Sequence, residues 1–415
     1  MFGRTDLFRN IANFIISLKA TTTAPVRFNY PAFRGVNHKN FQQLSEFQKV
    51  EVLSAVSSLR NYYRASILQL DRRRKLFKLM TWRQQRLCED VGYLNKLKSI
   101  QKSIQTNSEF TNAVADHVID TYGISYKDFN LIDNNKNNNN SSVSSTNYRV
   151  LEALSHYVRD WESLENIGQE LIPIYNYVLK HLNNIIPEEE KSTTCLIFPG
   201  SGLGRMAYEF AKLGYGAVHA VEFSGLMSTF AQFNFSPQKS SSYKIFPYVH
   251  NNSDFYTTKL QLRIMNISLP GEKPDNFHLH HDDFRYFEIP NPEKYSQVVV
   301  ISIYFLDTAE NLMEYLDTIK KLTGPKLNNS IKRGYWINAG PLKYGTAAQV
   351  ELNADELTLM RKKTGWLDLD SVYTLKDPSS VGNDTGLVGY VTDTQSMWQG
   401  YYGLNMFATA REENK

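Results

Sequence analysis

Cysteine is almost absent from this 415-residue chain: only Cys88 and Cys195 occur, far apart. They support neither a disulfide framework nor a cysteine-based zinc site, and a reducing compartment is the default expectation. No apolar run approaches the ~20 residues of a membrane-spanning helix, so no membrane partner is expected. An excess of one charge is missing too. Lys and Arg number 46 against 42 Asp and Glu, and the resulting +4 is too small to argue for a nucleic-acid partner. What the chain has is apolar mass, 42% hydrophobic and 13% aromatic residues. That suffices for a sizeable core, in two or three domains or in one domain with large additions.

Residues 1–24 carry Arg4, Arg9 and Lys19 with a single acid, Asp6. Segment 1–40 reads as a tail rather than a mitochondrial presequence, although the presequence stays open. The expected location is the cytoplasm, the nucleus included. From 41 to about 122 the pattern is helical, with Phe41, Leu44, Phe47 and Val50, then Leu87, Val91, Leu94 and Leu97, at three- to four-residue spacing. A helical N-terminal region over 41–133 follows. Its basic run, Arg72, Arg73, Arg74, Lys75, Lys78, Arg83 and Arg86, reads as a solvated helix flank in preference to an RNA-binding face. The Asn/Ser tract at 134–147 lacks any hydrophobic pattern and is expected to be a disordered insertion. A helix over 148–161 contains LSHYVRDW with Trp161 inward. As neighbours on a helix, Arg159 and Asp160 point in different directions and are not expected to form a preformed pair.

Residues 194–223, TCLIFPGSGLGRMAYEFAKLGYGAVHAVEF, are the most informative stretch. A strand at 195–198 leads into a turn made by Pro199, Gly200, Gly202 and Gly204. A helix over 205–213 stops at Gly214, and a strand at 217–221 delivers Glu222 to its carboxyl end. Glycines let backbone approach a ligand closely, and a carboxylate at the second strand tip accepts hydrogen bonds from both ribose hydroxyls of an adenosyl group. A dinucleotide fingerprint needs glycine where Arg205 stands, and no Gly-Lys-Ser/Thr phosphate loop is present. G-x-G-x-G with a strand-end acid is instead the usual pattern of S-adenosylmethionine-dependent methyltransferases, the bland alternative being a structural glycine turn in another α/β protein. Further strands are expected at 297–303, ending near Asp307, at 335–338 and at 402–410. His281, Asp282, Asp283 and Phe284 precede the first of these.

LSHYVRDW, FPGSGLGRMAYEFAKLGY, YKIFPYVHNNSD, FLDTAENLMEYLDTI and WINAGPLKY together resemble the carnosine N-methyltransferase family. The similarity runs from about residue 41 to the C-terminus, interrupted by the Asn/Ser tract and by an insertion near 367–392. The resemblance implies an α/β fold, a doubly wound seven-stranded methyltransferase (Rossmann-like) sheet in 148–415, with the N-terminal helical region contributing to the cofactor pocket. It implies S-adenosyl-L-methionine as cofactor and a histidine-containing dipeptide as substrate, carnosine being converted to anserine. Arg159 is similar to the family arginine that reaches the methionine part of the cofactor, and His156 stands where the family has glutamine. Gly200, with Gly202 in the same turn, matches the cofactor glycine and Glu222 the ribose acid. Asp283 and Phe284 match the adenine-binding pair, and Ile303 replaces a small polarizable residue.

Methyl transfer to an imidazole needs orientation more than a base, because a ring with a pKa near ~6.5 is mostly neutral at pH 7. A carboxylate on the far ring N–H fixes the tautomer and stabilises the developing positive charge. Asp307 in LDTAEN resembles the family's substrate-orienting aspartate and is the expected catalytic residue, the competing role being a helix N-cap. Tyr344 and Tyr402 are the remaining substrate-side candidates. Gly345 replaces a family histidine, and Gly400 replaces the first of three consecutive tyrosines. No metal is expected. A methyltransferase acting on protein histidine or another small amine, and a non-catalytic cofactor-binding subunit, are the alternative readings. Oligomeric state is not legible, a homodimer being compatible with everything above.

Overall fold

The computed structural model describes residues 40–132, 143–237, 242–251, 253–324 and 330–411. The expected tail therefore lies outside the described residues up to position 39, as does the Asn/Ser tract up to position 142. Positions 143–147 of that tract, expected to be disordered, instead open a helix.

The N-terminal part is built on two long helices. α1 (Glu46–Lys78) starts at a reciprocal capping box, in which the Ser45 hydroxyl accepts from the Gln48 N–H and Gln48 reaches back to the Ser45 N–H. A second capping box, Thr81 with Gln84, starts the short α2 (Trp82–Asp90). Gly92, at φ +85°, then breaks the chain before α3 (Tyr93–Tyr122). That break overturns one expectation. The apolar spacing of Leu87 and Val91 does not continue into Leu94 and Leu97, and Leu87 and Val91 are exposed while Leu97 is buried. Most of the basic run lies exposed on α1 and α2.

α4 (Val143–Trp161) and α5 (Ile172–Ile185) lead into β1 (Thr194–Pro199), α6 (Arg205–Ala211), β2 (Ala217–Glu222) and α7 (Gly225–Asn234). A small ribbon, β3 (Ser242–Ile245) with β4 (Met265–Ser268), follows. Then come β5 (Phe277–His281), β6 (Gln297–Ile303), α8 (Leu312–Thr323), β7 (Arg333–Gly340), α9 (Ala354–Lys363) and β8 (Trp366–Tyr373). A second ribbon, β9 (Leu387–Gly389) with β10 (Tyr401–Gly403), precedes β11 (Asn405–Arg411).

Seven strands form one sheet in the order β5-β2-β1-β6-β7-β11-β8. β5, β2, β1, β6 and β7 pair in parallel, and only β11 is reversed, between β7 and β8. This is the doubly wound methyltransferase sheet that the strand–glycine turn–helix–strand unit implies. β1 is buried at every position, as a central parallel strand covered on both faces must be. The order reverses between β1 and β6, and such a switch point leaves a crevice at the strands' carboxyl ends.

Two C-terminal expectations are corrected. Segment 367–392 is not a mere insertion, because most of β8 lies in it and closes the sheet against β11. The strand expected at 402–410 divides at Leu404, so Tyr402 belongs to the β9–β10 ribbon rather than to the sheet.

The helical part shares one apolar core with the sheet: Val56 and Leu59 of α1, Val114 of α3 and Leu196 of β1 belong to the same buried cluster. Two polar ties fix α1 against the strand ends. The Gln48 side chain donates to the His281 carbonyl at 2.7 Å, and the Gly225 N–H donates to Glu51 at 3.2 Å. A Cβ at Gly225 would lie 2.7 Å from that of Glu51, so no larger residue lets the helix sit this close.

Candidate active site

The crevice at the switch point is a cavity of about 490 Å³, within the ~300–1,000 Å³ range of small-molecule sites. His156, Arg159, Gly200, Gly202, Glu222, Asp283, Phe284 and Ile303 all line it. One wall is the glycine turn. Gly200, Gly202 and Gly204 have φ of +63°, +56° and +82°, a region that residues with a Cβ rarely occupy. A Cβ at Gly200 would also stand 2.6 Å from the Phe305 ring.

Glu222 is held at the tip of β2 by the N–H groups of Gly202 and Ser224, each at 2.8 Å. Burial pushes its pKa up, opposed by those N–H donors. Two N–H bonds leave lone pairs free on both oxygens, the geometry a vicinal diol requires. Arg205 is fully buried and has a structural task. Its guanidinium donates to the carbonyls of Asp160, Ser163, Leu164 and Asn166 and to the Glu209 carboxylate, and it packs over the Trp161 ring. The residue that breaks the dinucleotide pattern thus ties α6 to the loop after α4.

α4 supplies the opposite wall. Arg159 donates to both oxygens of Asp160, at 2.6 and 3.2 Å, with Asp160 only 3% exposed. The expected absence of a preformed pair is wrong: the arginine side chain is long enough to reach its neighbour's carboxylate. Donors of the fork remain for a further anion. His156 lies one turn back in the same wall, and its buried Nδ1 has no hydrogen-bond partner. Burial, then the Arg159 charge, lowers its pKa to about 4, so the ring is neutral at pH 7. An unpartnered imidazole nitrogen beside an arginine suits a carboxylate such as the methionine end of S-adenosylmethionine. With Glu222 for the ribose, the donor set fits that cofactor.

At the other end Asp283 caps a short turn and accepts a forked ion pair from Arg285 at 2.6–3.0 Å. Asp282, beside it in the cavity wall, has no ion pair among the described residues, and burial raises its pKa to about 6. Phe284 stands edge-on to Phe305, which stacks on Tyr315 at 4.4 Å.

The substrate-side candidates gather outside the cavity's rim. Asp307 lies in a single turn between Phe305 and Thr308, both of which line the cavity. It caps no long helix, since Asn311 caps α8. One Asp307 oxygen accepts the Lys343 N–H at 3.2 Å, and burial raises the carboxyl pKa. Tyr344 is half-buried next in the chain, with burial first among the causes pushing its phenol up to about 12. Gly345 is exposed, with nothing within 4 Å of where a Cβ would stand. Tyr402 meets Tyr390 edge-on at 6.1 Å.

Tyr304 and Tyr390 were not expected. Tyr304 follows β6 at φ +50°, a strained value for a tyrosine, and meets Tyr390 at 4.7 Å. Tyr390 also lies under the Arg159 guanidinium at 5.3 Å and edge-on to His156. Glu170 holds its loop by accepting the N–H groups of Val391 and Thr392, both at 2.7 Å. Tyr304 had a sequence signal, its place at a strand's carboxyl end. Tyr390 had none, because it falls in the segment read as an insertion.

The carnosine N-methyltransferase family matches residues 134–413. An uncharacterized protein of Saccharomyces cerevisiae is 33% identical over 75% of this chain and 65% of its own length. Carnosine N-methyltransferase of Schizosaccharomyces pombe is 30% identical over 71% of this chain and 76% of its own, and that of Mus musculus 28% identical over 64% and 63%. The chain therefore spans just under two thirds of the Saccharomyces and mouse relatives. Among solved structures, magnesium protoporphyrin IX methyltransferase from Synechocystis with bound SAH is 14% identical, over 59% of this chain and 85% of that one, at a TM-score of 0.32. At that score the fold rests on the strand order itself.

Proposed function

This chain belongs to the carnosine N-methyltransferase family of S-adenosylmethionine-dependent enzymes, and from that premise we propose that it methylates an imidazole nitrogen of carnosine or a closely related histidine-containing dipeptide. The observation that carries the substrate side is the position of Asp307. It lies just outside the cofactor cavity, in the turn between the lining residues Phe305 and Thr308, tied to the loop after β7 by one N–H and released from helix capping by Asn311.

S-adenosylmethionine, when bound, would supply a sulfonium methyl group: an in-line ring lone pair attacks the methyl carbon as the S–CH3 bond breaks, and its electron pair leaves on sulfur as neutral S-adenosylhomocysteine. Glu222 would hold the ribose hydroxyls, and His156 with Arg159 the cofactor carboxylate. Asp307 would accept the N–H of the ring nitrogen that is not methylated, so that the other nitrogen presents its lone pair. As the new N–C bond forms, the ring becomes cationic and the Asp307 carboxylate stabilises it. The N–H proton then passes to water and leaves the neutral methylated ring. Tyr304, Tyr390 and Tyr402 form an aromatic edge between the two halves, which excludes water and suits a cationic ring.

The test is transfer of label from methyl-labelled S-adenosylmethionine to carnosine, free histidine and a peptide with an internal histidine. Label on the carnosine ring is expected. Intact cofactor binding with no labelled imidazole in any of the three would favour the non-catalytic reading instead.

A further inference from the structure

We infer that Lys343 is a specificity residue that takes the carboxylate of a substrate whose histidine is C-terminal; this rests on the imidazole reading above. Lys343 follows β7 at the carboxyl end of the sheet. Its main chain and side chain face two different tasks. The N–H donates to the Asp307 carboxylate at 3.2 Å, while the ammonium lies over the Tyr402 ring, 5.5 Å from its centroid. One residue thus ties the ring-orienting carboxylate through its main chain and carries a cation on its side chain.

That cation is available. Among the described residues Lys343 makes no ion pair, and its side chain is exposed. The three arginines that line the cofactor cavity are each engaged, Arg159 with Asp160, Arg205 with Glu209 and Arg285 with Asp283. From Lys343 the contacts run through Tyr402 to Tyr390, which lines the cofactor cavity.

A histidine whose ring rests on Asp307 carries its own main-chain carbonyl carbon just beyond Cβ and Cα. When that residue is C-terminal, the position holds a carboxylate, and an ammonium forms a charge-assisted hydrogen bond with it. When it lies inside a polypeptide, the position holds a neutral amide with nothing to offer a cation. Lys343 therefore separates terminal from internal histidines. The competing use of its charge, on Asp307 itself, lowers that carboxyl's pKa against the larger effect of burial.

The experiment compares carnosine with β-alanylhistamine, the same molecule without its carboxylate, on the full chain. For the native enzyme, kcat/KM should favour carnosine by about tenfold, the scale of one hydrogen bond to a charged group, and the preference should shrink with added salt. In Lys343→Met the ratio should fall toward one, mainly through KM, whereas Lys343→Arg should keep most of it. Calorimetric binding of S-adenosylmethionine confirms that each variant is folded. Should Lys343→Met not fold, the native ratio and its salt dependence still decide. Equal use of both substrates by the native enzyme, or an unchanged ratio in Lys343→Met, overturns the role of Lys343 while imidazole methylation stands. Transfer to neither substrate nor to any other imidazole removes the premise, and this inference with it.

Discussion

The two ends of the cleft are built by opposite means. At the cofactor end the groups sit on strand tips and one helix end and are held by the frame: Glu222 by two N–H donors, Arg159 by a forked ion pair, and the turn between them by the left-handed backbone of its glycines. At the acceptor end Asp307, Lys343, Tyr344 and Tyr402 come from loops and a two-stranded ribbon, are half-buried or exposed, and share few bonds. The difference separates a rigidly held end from an adjustable one. On the proposed function the rigid frame would grip the cofactor, and the group to be methylated would be selected by parts that can change without disturbing the sheet.

The sharpest way to break that contrast is Asp307→Asn. If the acceptor end carries the chemistry, turnover should fall by roughly 10²-fold, the scale of removing one preorganised charge-stabilising group, with cofactor affinity unchanged by calorimetry. Loss of cofactor binding would instead make Asp307 part of the frame. Glu222→Ala is the mirror test. Cofactor affinity should weaken by about 1.5–3 kcal/mol, the worth of hydrogen bonds to a charged group. Calorimetry on the folded variant reads it directly, and unchanged affinity would take Glu222 out of the site.

The same division explains what the sequence reveals. The frame is local: strand, glycine turn, helix, strand and acid lie within 194–223, and the observed β1, α6 and β2 differ from the reading only by end residues. All eight residues assigned to the cofactor line one cavity. Contacts made across the chain are less legible. Tyr390 reaches Arg159 only because Glu170 draws its loop inward, and nothing in the spacing of 387–392 announces that. The Arg159–Asp160 pair escapes a face-by-face helical reading because side-chain length, not Cβ direction, sets its geometry. Leu87 and Val91 mislead for the opposite reason, a helix period interrupted by the left-handed Gly92.

Asp282 tests how rigid the cofactor end is. Its pKa in the folded chain is raised from 3.8 to about 6 by burial, so the protonated carboxyl is the form the fold favours. The stabilisation is fully present below pH ~3.8 and is lost as the pH rises through about 6, where the charge must be buried. Asp282→Asn, with no charge to bury, should be more stable than the native chain at pH 7 by about 1–2 kcal/mol, allowing for water in the cavity. The advantage should vanish near pH 3.5. Ligand-free thermal unfolding across that range measures it, and a pH-independent difference would mean that Asp282 is solvated like a surface group.

The smallest expected effect is at Gly345, where the acceptor end is most open. Its φ is not left-handed and no atom lies within 4 Å of a Cβ position, so Gly345→His should change stability by less than about 0.5 kcal/mol, as surface substitutions do. Gly345 sits two residues beyond Lys343, in the loop whose N–H holds Asp307. If the native pocket is a loosened carnosine site, the histidine should raise carnosine turnover several-fold and leave cofactor affinity alone. If activity is lost while the protein stays folded and binds cofactor, the open space at Gly345 is needed for a different, bulkier imidazole substrate. The carnosine reading would then fail at the acceptor end alone, which is where the contrast between the two ends locates specificity.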